Sequence, residues 1–256
     1  MITLVVGASG ATGKLLIDQL LSAGQWVKIL VRATSQIPDA WLHHARITVL
    51  RVNDITRIPV NELSAHLQDC QSVAVCLGHT LNLKGIYGPP RRLVTDMVQL
   101  LCTAIRKNTP EKPFRFVLMN TAGNSNRDLN EPVSFGQKIV IGLLRLLLPP
   151  HPDNEKAADY LRLKTGGQNP FIEWVAVRPD SLINNAYVTA YTLHPSPTRS
   201  ALFNPGQTSR INVSHFMAQL LTDDNTWHQW KGQMPVIYNA TTSLNKATTH
   251  QPADRT

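Results

Sequence analysis

The stretch Leu4–Lys14, LVVGASGATGK, places Gly7, Gly10 and Gly13 as GxxGxxG. It follows an apolar run, Ile2–Val6, and opens Ala11–Ala23, whose apolar residues recur at helical spacing and which Gly24 closes. In such a strand–turn–helix setting each glycine has a physical task. The first permits the tight turn, the second lets backbone approach a pyrophosphate, and the third lets helix and strand pack closely. The helix N-terminus then offers its free N–H groups to the anion. Lys14 does not make this a nucleoside-triphosphate loop, because GxxxxGK would have to be followed by Ser or Thr and the next residue is Leu15.

Outward from this loop, short β-rich runs alternate with longer segments of helical period. Strands are predicted at Trp26–Val31, Ile47–Val52, Ser72–Leu77, Phe114–Met119, Phe171–Val177 and Pro235–Tyr238. The segment Arg91–Lys107 lays Leu93, Met97, Leu100, Leu101 and Ile105 along one helical face. Strands separated by helices need right-handed crossovers, which give an α/β fold. The expectation is a Rossmann-type, doubly wound parallel sheet with helices on both faces, one domain over residues 1–240, and a small C-terminal substrate-side region. Three segments depart from the rhythm. Ile139–Leu148 is unusually apolar and is expected to be a helix that is buried, packed on another subunit, or in contact with a membrane surface. Residues 193–210 read as a long loop over the C-terminal ends of the strands, and 241–256 as a flexible tail.

Composition excludes several classes. Of 256 residues 43% are apolar and 16% charged, enough apolar content to build a core and too much for a disordered chain. No apolar run reaches the ~20 residues a membrane-spanning helix needs. Met1 leads directly into the first strand without a charged n-region, so a cleaved signal peptide is not expected. Cys70, Cys76 and Cys102 form neither a CxxC pair nor a metal-ligand spacing, which fits a reducing cytoplasm and no metal. The net charge of +8 comes from scattered cations without interleaved aromatics. That pattern reads as a solvated surface with a few anion-binding arginines rather than a nucleic-acid interface.

The end of the second strand selects the dinucleotide. An NAD-preferring site puts Asp or Glu there to bind the ribose hydroxyls, whereas VKILVRATS ends in Arg32 and the next acid is Asp39. A guanidinium can hold a 2′-phosphate bidentately and stack on adenine, so NADP is expected over NAD.

GASGATGK, the strand ending in VR, RVNDI, CLG, MNTAG and VAVRPDSL together resemble an atypical short-chain dehydrogenase/reductase. The similarity is to the NAD(P)H-binding, NmrA-like group that includes flavin and biliverdin reductases, and it extends over about residues 1–240. It implies Ser9, Ala11 and Thr12 as loop contacts beside the three glycines, Asp54 and Ile55 at the adenine, and Leu77 and Gly78 on the ribose side. Asn120 would be a further cofactor contact, and Thr121 would occupy the slot where dehydrogenases of this superfamily carry a catalytic Ser.

These dehydrogenases usually employ Tyr-x-x-x-Lys, the lysine holding the nicotinamide ribose and lowering the tyrosine pKa. Tyr160 and Lys164 match literally, but they stand at a helix end only a few residues before the sixth strand. Lys156 suits the spacing better, and the residue four before it is Pro152, which cannot exchange a proton. The sequence therefore nominates Thr121 and Lys156 for catalysis, treats Tyr160 as packing, and leaves His79 and His151 as unassigned acids. Two function classes follow: an NADPH-dependent reductase of a small planar or carbonyl-bearing substrate, or a non-catalytic NADP(H)-sensing regulator or assembly factor. A sugar-nucleotide epimerase ranks third.

Overall fold

The computed structural model describes residues 1–79, 82–129, 131 and 135–240. Its strands are β1 (Ile2–Val6), β2 (Trp26–Arg32), β3 (Ile47–Val52), β4 (Ser72–Val75), β5 (Phe114–Met119), β6 (Ile172–Pro179), β7 (Ser181–Ile183), β8 (Tyr191–His194), β9 (Gln207–Ser209) and β10 (Val236–Asn239). The helices are α1 (Ala11–Ser22), α2 (Asp39–Leu42), α3 (Val60–Leu67), α4 (Leu83–Tyr87), α5 (Leu93–Asn108), α6 (Phe135–Leu147), α7 (Pro150–Asp159), α8 (Arg210–Thr222) and α9 (Asp224–Trp230). A π-helical turn, Tyr160–Thr165, continues α7.

Among the described residues the main sheet has the order β3-β2-β1-β4-β5-β6-β10-β8. Seven of its strands are parallel, and the order reverses between β1 and β4, as in a Rossmann fold. The register sets Val6 beside Leu30 and Val75, Val75 beside Leu118, and Met119 beside Val177, so the strand ends carrying the site are level with one another. One face is covered by α1, α8 and α9, through Leu16, Leu20, Phe216, Met217 and Trp227. The other is covered by α3, α5 and α7, through Leu63, Leu67, Met97, Leu101 and Ala157. Burial on both faces explains why the strands read as continuous apolar runs.

The fold departs from expectation at its C-terminal side. β8 adds to the sheet edge antiparallel to β10, pairing Tyr191–His194 with Val236–Asn239. β9 pairs in parallel with β7 as a separate two-stranded sheet. The expected 193–210 loop therefore carries strand at both ends; these strands of three and four residues are too short for a periodicity to register. The apolar segment is helical, with Ile141 buried and Leu143 and Leu147 exposed at 51% and 57%. No described helix is long and apolar enough to cross a membrane. The polar stretch 241–256 lies outside the described residues.

Candidate functional site

β1 ends at Val6 and the chain turns through Gly7 at φ +82°, a conformation that favours glycine. A Cβ on Gly7 would stand 2.6 Å from the Cys76 carbonyl of the neighbouring strand end, and one on Gly13 would stand 2.2 Å from the Gly7 carbonyl oxygen. These two glycines are demanded by packing. Gly10 is different. Its backbone is extended, and a Cβ there would meet only the Gly7 oxygen, at 3.2 Å. A Cβ on Gly78 would meet nothing within 4 Å. The protein's own packing therefore does not demand a bare backbone at Gly78 and only weakly at Gly10, and both residues border a cleft of about 500 Å³. The N-terminus of α1 has no side-chain cap and no acid in its first turn, so its amides are left to an anion. The cradle fits the pyrophosphate of a dinucleotide.

The cleft is lined by Ser9, Arg32, Asp54, Ile55, Leu77 and Gly78 among others, which brings together the loop, the ends of β2 and β4 and the turn after β3. Arg32 is exposed at the end of β2 and forms no ion pair within 4 Å among the described residues. Asp54 accepts bonds from the Thr56 amide at 2.9 Å and the Thr56 hydroxyl at 2.7 Å, which hold its carboxyl below the usual carboxylate range. Its charge serves the turn that presents Ile55, itself 5% exposed. Ala11 is exposed at the start of α1, whereas Thr12 is buried behind the loop. A larger cavity, about 1010 Å³, lies at the opposite ends of the strands around Gln71, Lys107 and Arg115. In open α/β sheets ligands bind outside the carboxyl ends, so the smaller cleft is the site.

The strand-end side of the cleft is closed by residues following β4. His79 lies with Nε2 2.8 Å from Asp153 Oδ2 and Nδ1 3.1 Å from the Gly85 carbonyl. Protonated, the ring donates from both nitrogens and satisfies both acceptors. The Asp153 bond raises its pKa, with burial opposing. Asp153 in turn accepts from the Val94 and Thr95 amides, each at 2.9 Å, and from the Thr95 hydroxyl at 2.6 Å. One buried carboxylate on α7 thus caps the N-terminus of α5 and holds the lip of the cleft through His79. With both nitrogens engaged, His79 is a fastening rather than a proton donor.

Beyond β5 the chain continues into Asn120 and Thr121. Asn120 is buried; its side chain donates to the Asn154 carbonyl at 2.9 Å and accepts from the Thr121 amide at 2.9 Å. It braces β5 against α7 rather than facing a ligand. The Thr121 hydroxyl accepts from the Gly123 amide at 3.2 Å, leaving its own proton available. A Cβ on Gly123 would stand 3.6 Å from Thr121 Oγ1 and 3.8 Å from His151 Cε1, so the hydroxyl and the imidazole border one small space. Glu155, one turn along α7 from His151, is gripped bidentately by Arg145 at 2.8 Å to each oxygen. Burial pushes the Glu155 carboxyl up, but His151 and Arg145 together hold it at about 2.

The family model described as NAD(P)H-binding matches residues 7–224, a span that begins at the glycine loop and includes each element of this site. The chain belongs to the NAD(P)H-binding family. No curated protein matches it. Its fold is shared with solved structures of low sequence identity. An oxidoreductase, ylbE, from Lactococcus lactis is 16% identical with a TM-score of 0.67 over 94% of this chain and 92% of that one. A wide-type short-chain dehydrogenase/reductase from Veillonella parvula, solved in complex with NADP, is 16% identical with a TM-score of 0.65 over 94% and 95%. ChuY, an anaerobillin reductase from Escherichia coli O157:H7, is 14% identical with a TM-score of 0.63 over 99% and 100%.

In this NAD(P)H-binding protein neither nominated catalytic residue, Thr121 or Lys156, is among the residues that line the cleft. Lys156 is exposed on α7 and does not line it. Tyr160 packs against the core, its hydroxyl accepting from Arg106 at 3.1 Å, and Lys164 is exposed. The literal Tyr-x-x-x-Lys is therefore a structural element. Tyr160→Phe removes one part-buried hydrogen bond, worth about 1 kcal/mol, and should leave NADPH binding within twofold when titrated by fluorescence. Gly10→Val has the opposite profile. It places a branched side chain where an anion must approach, so the variant should fold with unchanged circular dichroism and lose cofactor binding. Retained affinity in folded Gly10→Val would show that the loop is only a turn.

Proposed function

We propose that this protein is an NADPH-dependent reductase of a small planar or carbonyl-bearing molecule. The observation that carries the cofactor choice is Arg32, an exposed guanidinium with no ion pair among the described residues, at the lip of the cleft, where an acid would favour NAD. The neighbour solved with NADP and the anaerobillin reductase support the reading by fold. On this reading Thr121, just past the end of β5, would stand near the reacting end of the dinucleotide. Bound NADPH supplies hydride to an electrophilic carbon; the chain binds the cofactor, fixes its direction along the strand ends and excludes water. The three cysteines are free and buried, which suits a reducing compartment.

The test is a titration and a turnover screen. Wild-type protein should consume NADPH with at least one of FMN, a quinone panel or small carbonyl compounds. Arg32→Ala should weaken NADPH roughly tenfold to a hundredfold, the loss of a charged hydrogen bond, and leave NADH nearly unchanged. Equal weakening of both cofactors would remove the 2′-phosphate assignment. A second reading rests on α6, whose Leu143 and Leu147 are half exposed: a non-catalytic NADP(H) sensor that presents this helix to a protein partner. Tight cofactor binding with no turnover of any acceptor would favour it.

A further inference from the structure

We propose that His151 is the proton donor of this site, positioned by Glu155, in place of the Tyr-x-x-x-Lys pair. The proposal rests on the reductase reading above. His151 and Glu155 stand four apart on α7, on the side of the helix that meets the Thr121–Gly123 turn, and that spacing places them one above the other. Lys156 is one residue further on, turned about 100° around the helix axis, and exposed. Tyr160 lies in the π-helical turn with its hydroxyl held by Arg106. The position facing Thr121 is therefore occupied by an imidazole.

The surroundings equip that imidazole for proton transfer. Its side chain is 13% exposed and that of Glu155 9%. His151 Nε2 is buried without a hydrogen-bond partner among the described residues, 3.5 Å from Glu155 Oε1. A buried nitrogen left in that condition is costly unless a small movement completes the bond, so ligand binding that tightens this gap is favoured. Glu155 remains ionised because Arg145 clamps both its oxygens, and its Oε1 is the acceptor that lies nearest the His151 ring. Among the described residues Glu155 is the charged group shown beside the ring, with Arg145 behind it, and Thr121 supplies a polar group from the β5 end. With Nε2 turned to Glu155, Nδ1 is the nitrogen across Cε1, the atom that borders the space over Gly123. That space is bare of side chain on the Gly123 side, which leaves room for an acceptor oxygen between the Thr121 hydroxyl and the ring.

A carbonyl acceptor would gain hydride from bound NADPH, which would be left as NADP⁺, and its C–O π pair would move onto oxygen. The oxygen takes the Nδ1 proton from His151, forming O–H; the neutral imidazole recovers a proton from water. The Thr121 hydroxyl donates to the same oxygen as its charge develops.

The experiment uses full-length protein, NADPH, and two kinds of acceptor. A carbonyl compound needs the proton, because an alkoxide is a poor product; a quinone-imine dye accepts hydride to give a stabilised phenolate that does not. His151→Asn should cut carbonyl turnover by ~10²–10⁴-fold while dye turnover and NADPH affinity stay within a few-fold. Glu155→Gln should lower carbonyl kcat in the same direction, again sparing the dye. A separate readout is the His151 ring resonance in NMR: NADP⁺ should shift it, and adenosine 2′,5′-bisphosphate, which lacks nicotinamide, should not. Carbonyl turnover preserved in folded His151→Asn, or parallel loss with both acceptors, overturns the proposal. So does a His151 resonance that ignores NADP⁺. If wild-type protein reduces neither acceptor, the reductase reading fails and the acid role falls with it. The resonance would still report separately whether His151 faces the nicotinamide.

Discussion

Arg178→Leu is expected to cost about 3–5 kcal/mol of stability, because it strands a buried carboxylate and several carbonyls together. Arg178 is completely buried at the end of β6 and spends its donors on Glu131, at 2.7 and 3.0 Å, and on the carbonyls of Met234, Asn124 and Pro195, at 2.6, 2.9 and 3.0 Å. Those partners belong to three separate connections: the segment after β5, the one after β8 and the approach to β10. The side chain of Glu131 is only 3% exposed. Arg178→Lys should remain strongly destabilised, since one ammonium with three donors cannot span these five acceptor contacts. Pairing Arg178→Met with Glu131→Leu should recover only part of the loss, because the three carbonyls remain unpaired. Urea midpoints of the four proteins measure this directly. A midpoint for Arg178→Leu within about 1 kcal/mol of wild type would mean the network contributes little net stability.

Asp153→Ala should be comparably damaging, at about 3–5 kcal/mol, since it leaves the His79 imidazolium buried without its counter-charge and uncaps α5. The carboxyl has 0% side-chain exposure and His79 4%. Asp153→Asn keeps an acceptor for the α5 amides and should fall between the two. The pair also gives stability a pH profile. Burial pushes the Asp153 carboxyl up, but the bonds from His79, Thr95 and the α5 amides outweigh it and the net shift is downward. Its contribution is therefore present above the ordinary carboxylate value of ~3.9 and is lost as pH falls through the depressed one. His79 is shifted upward, so its contribution is complete below the ordinary imidazole value of ~6.5 and is lost as pH rises through the raised one. Stability from the pair is greatest between about pH 4 and pH 6.5 and declines on the alkaline side. In Asp153→Asn that alkaline decline should shrink, which thermal melts across the range would reveal.

The glycine loop was legible in the sequence because its rules are local: a positive φ at Gly7 and a close approach at Gly13 are decided by residues a few positions away. The sheet was legible for a related reason, since strands buried on both faces write unbroken apolar runs. The pairing of β8 and β9 was not, because short edge strands carry too few residues to show a period. The reacting half of the site was less legible, because counting positions does not settle which face of a helix meets the strand ends. Counting back from β6 favoured Lys156, whereas the face of α7 that meets Thr121 carries His151 and Glu155, and one residue along a helix is a rotation of about 100°. His79 was unassignable because its partner, Asp153, is 74 positions away. In the sequence Arg178 stands only within the VAVRPDSL motif, and its partners lie in segments that no spacing rule connects.

The central claim is that the cleft at the strand ends binds a phosphorylated dinucleotide through the glycine loop and Arg32. Calorimetric titration of the wild-type protein with NADPH and with NADH, at one salt concentration, tests it most directly. NADPH should bind with one site per chain and at least ~10-fold more tightly than NADH, the discrimination expected from a guanidinium on the 2′-phosphate. Equal affinities, a preference for NADH, or no binding of either cofactor would contradict the account.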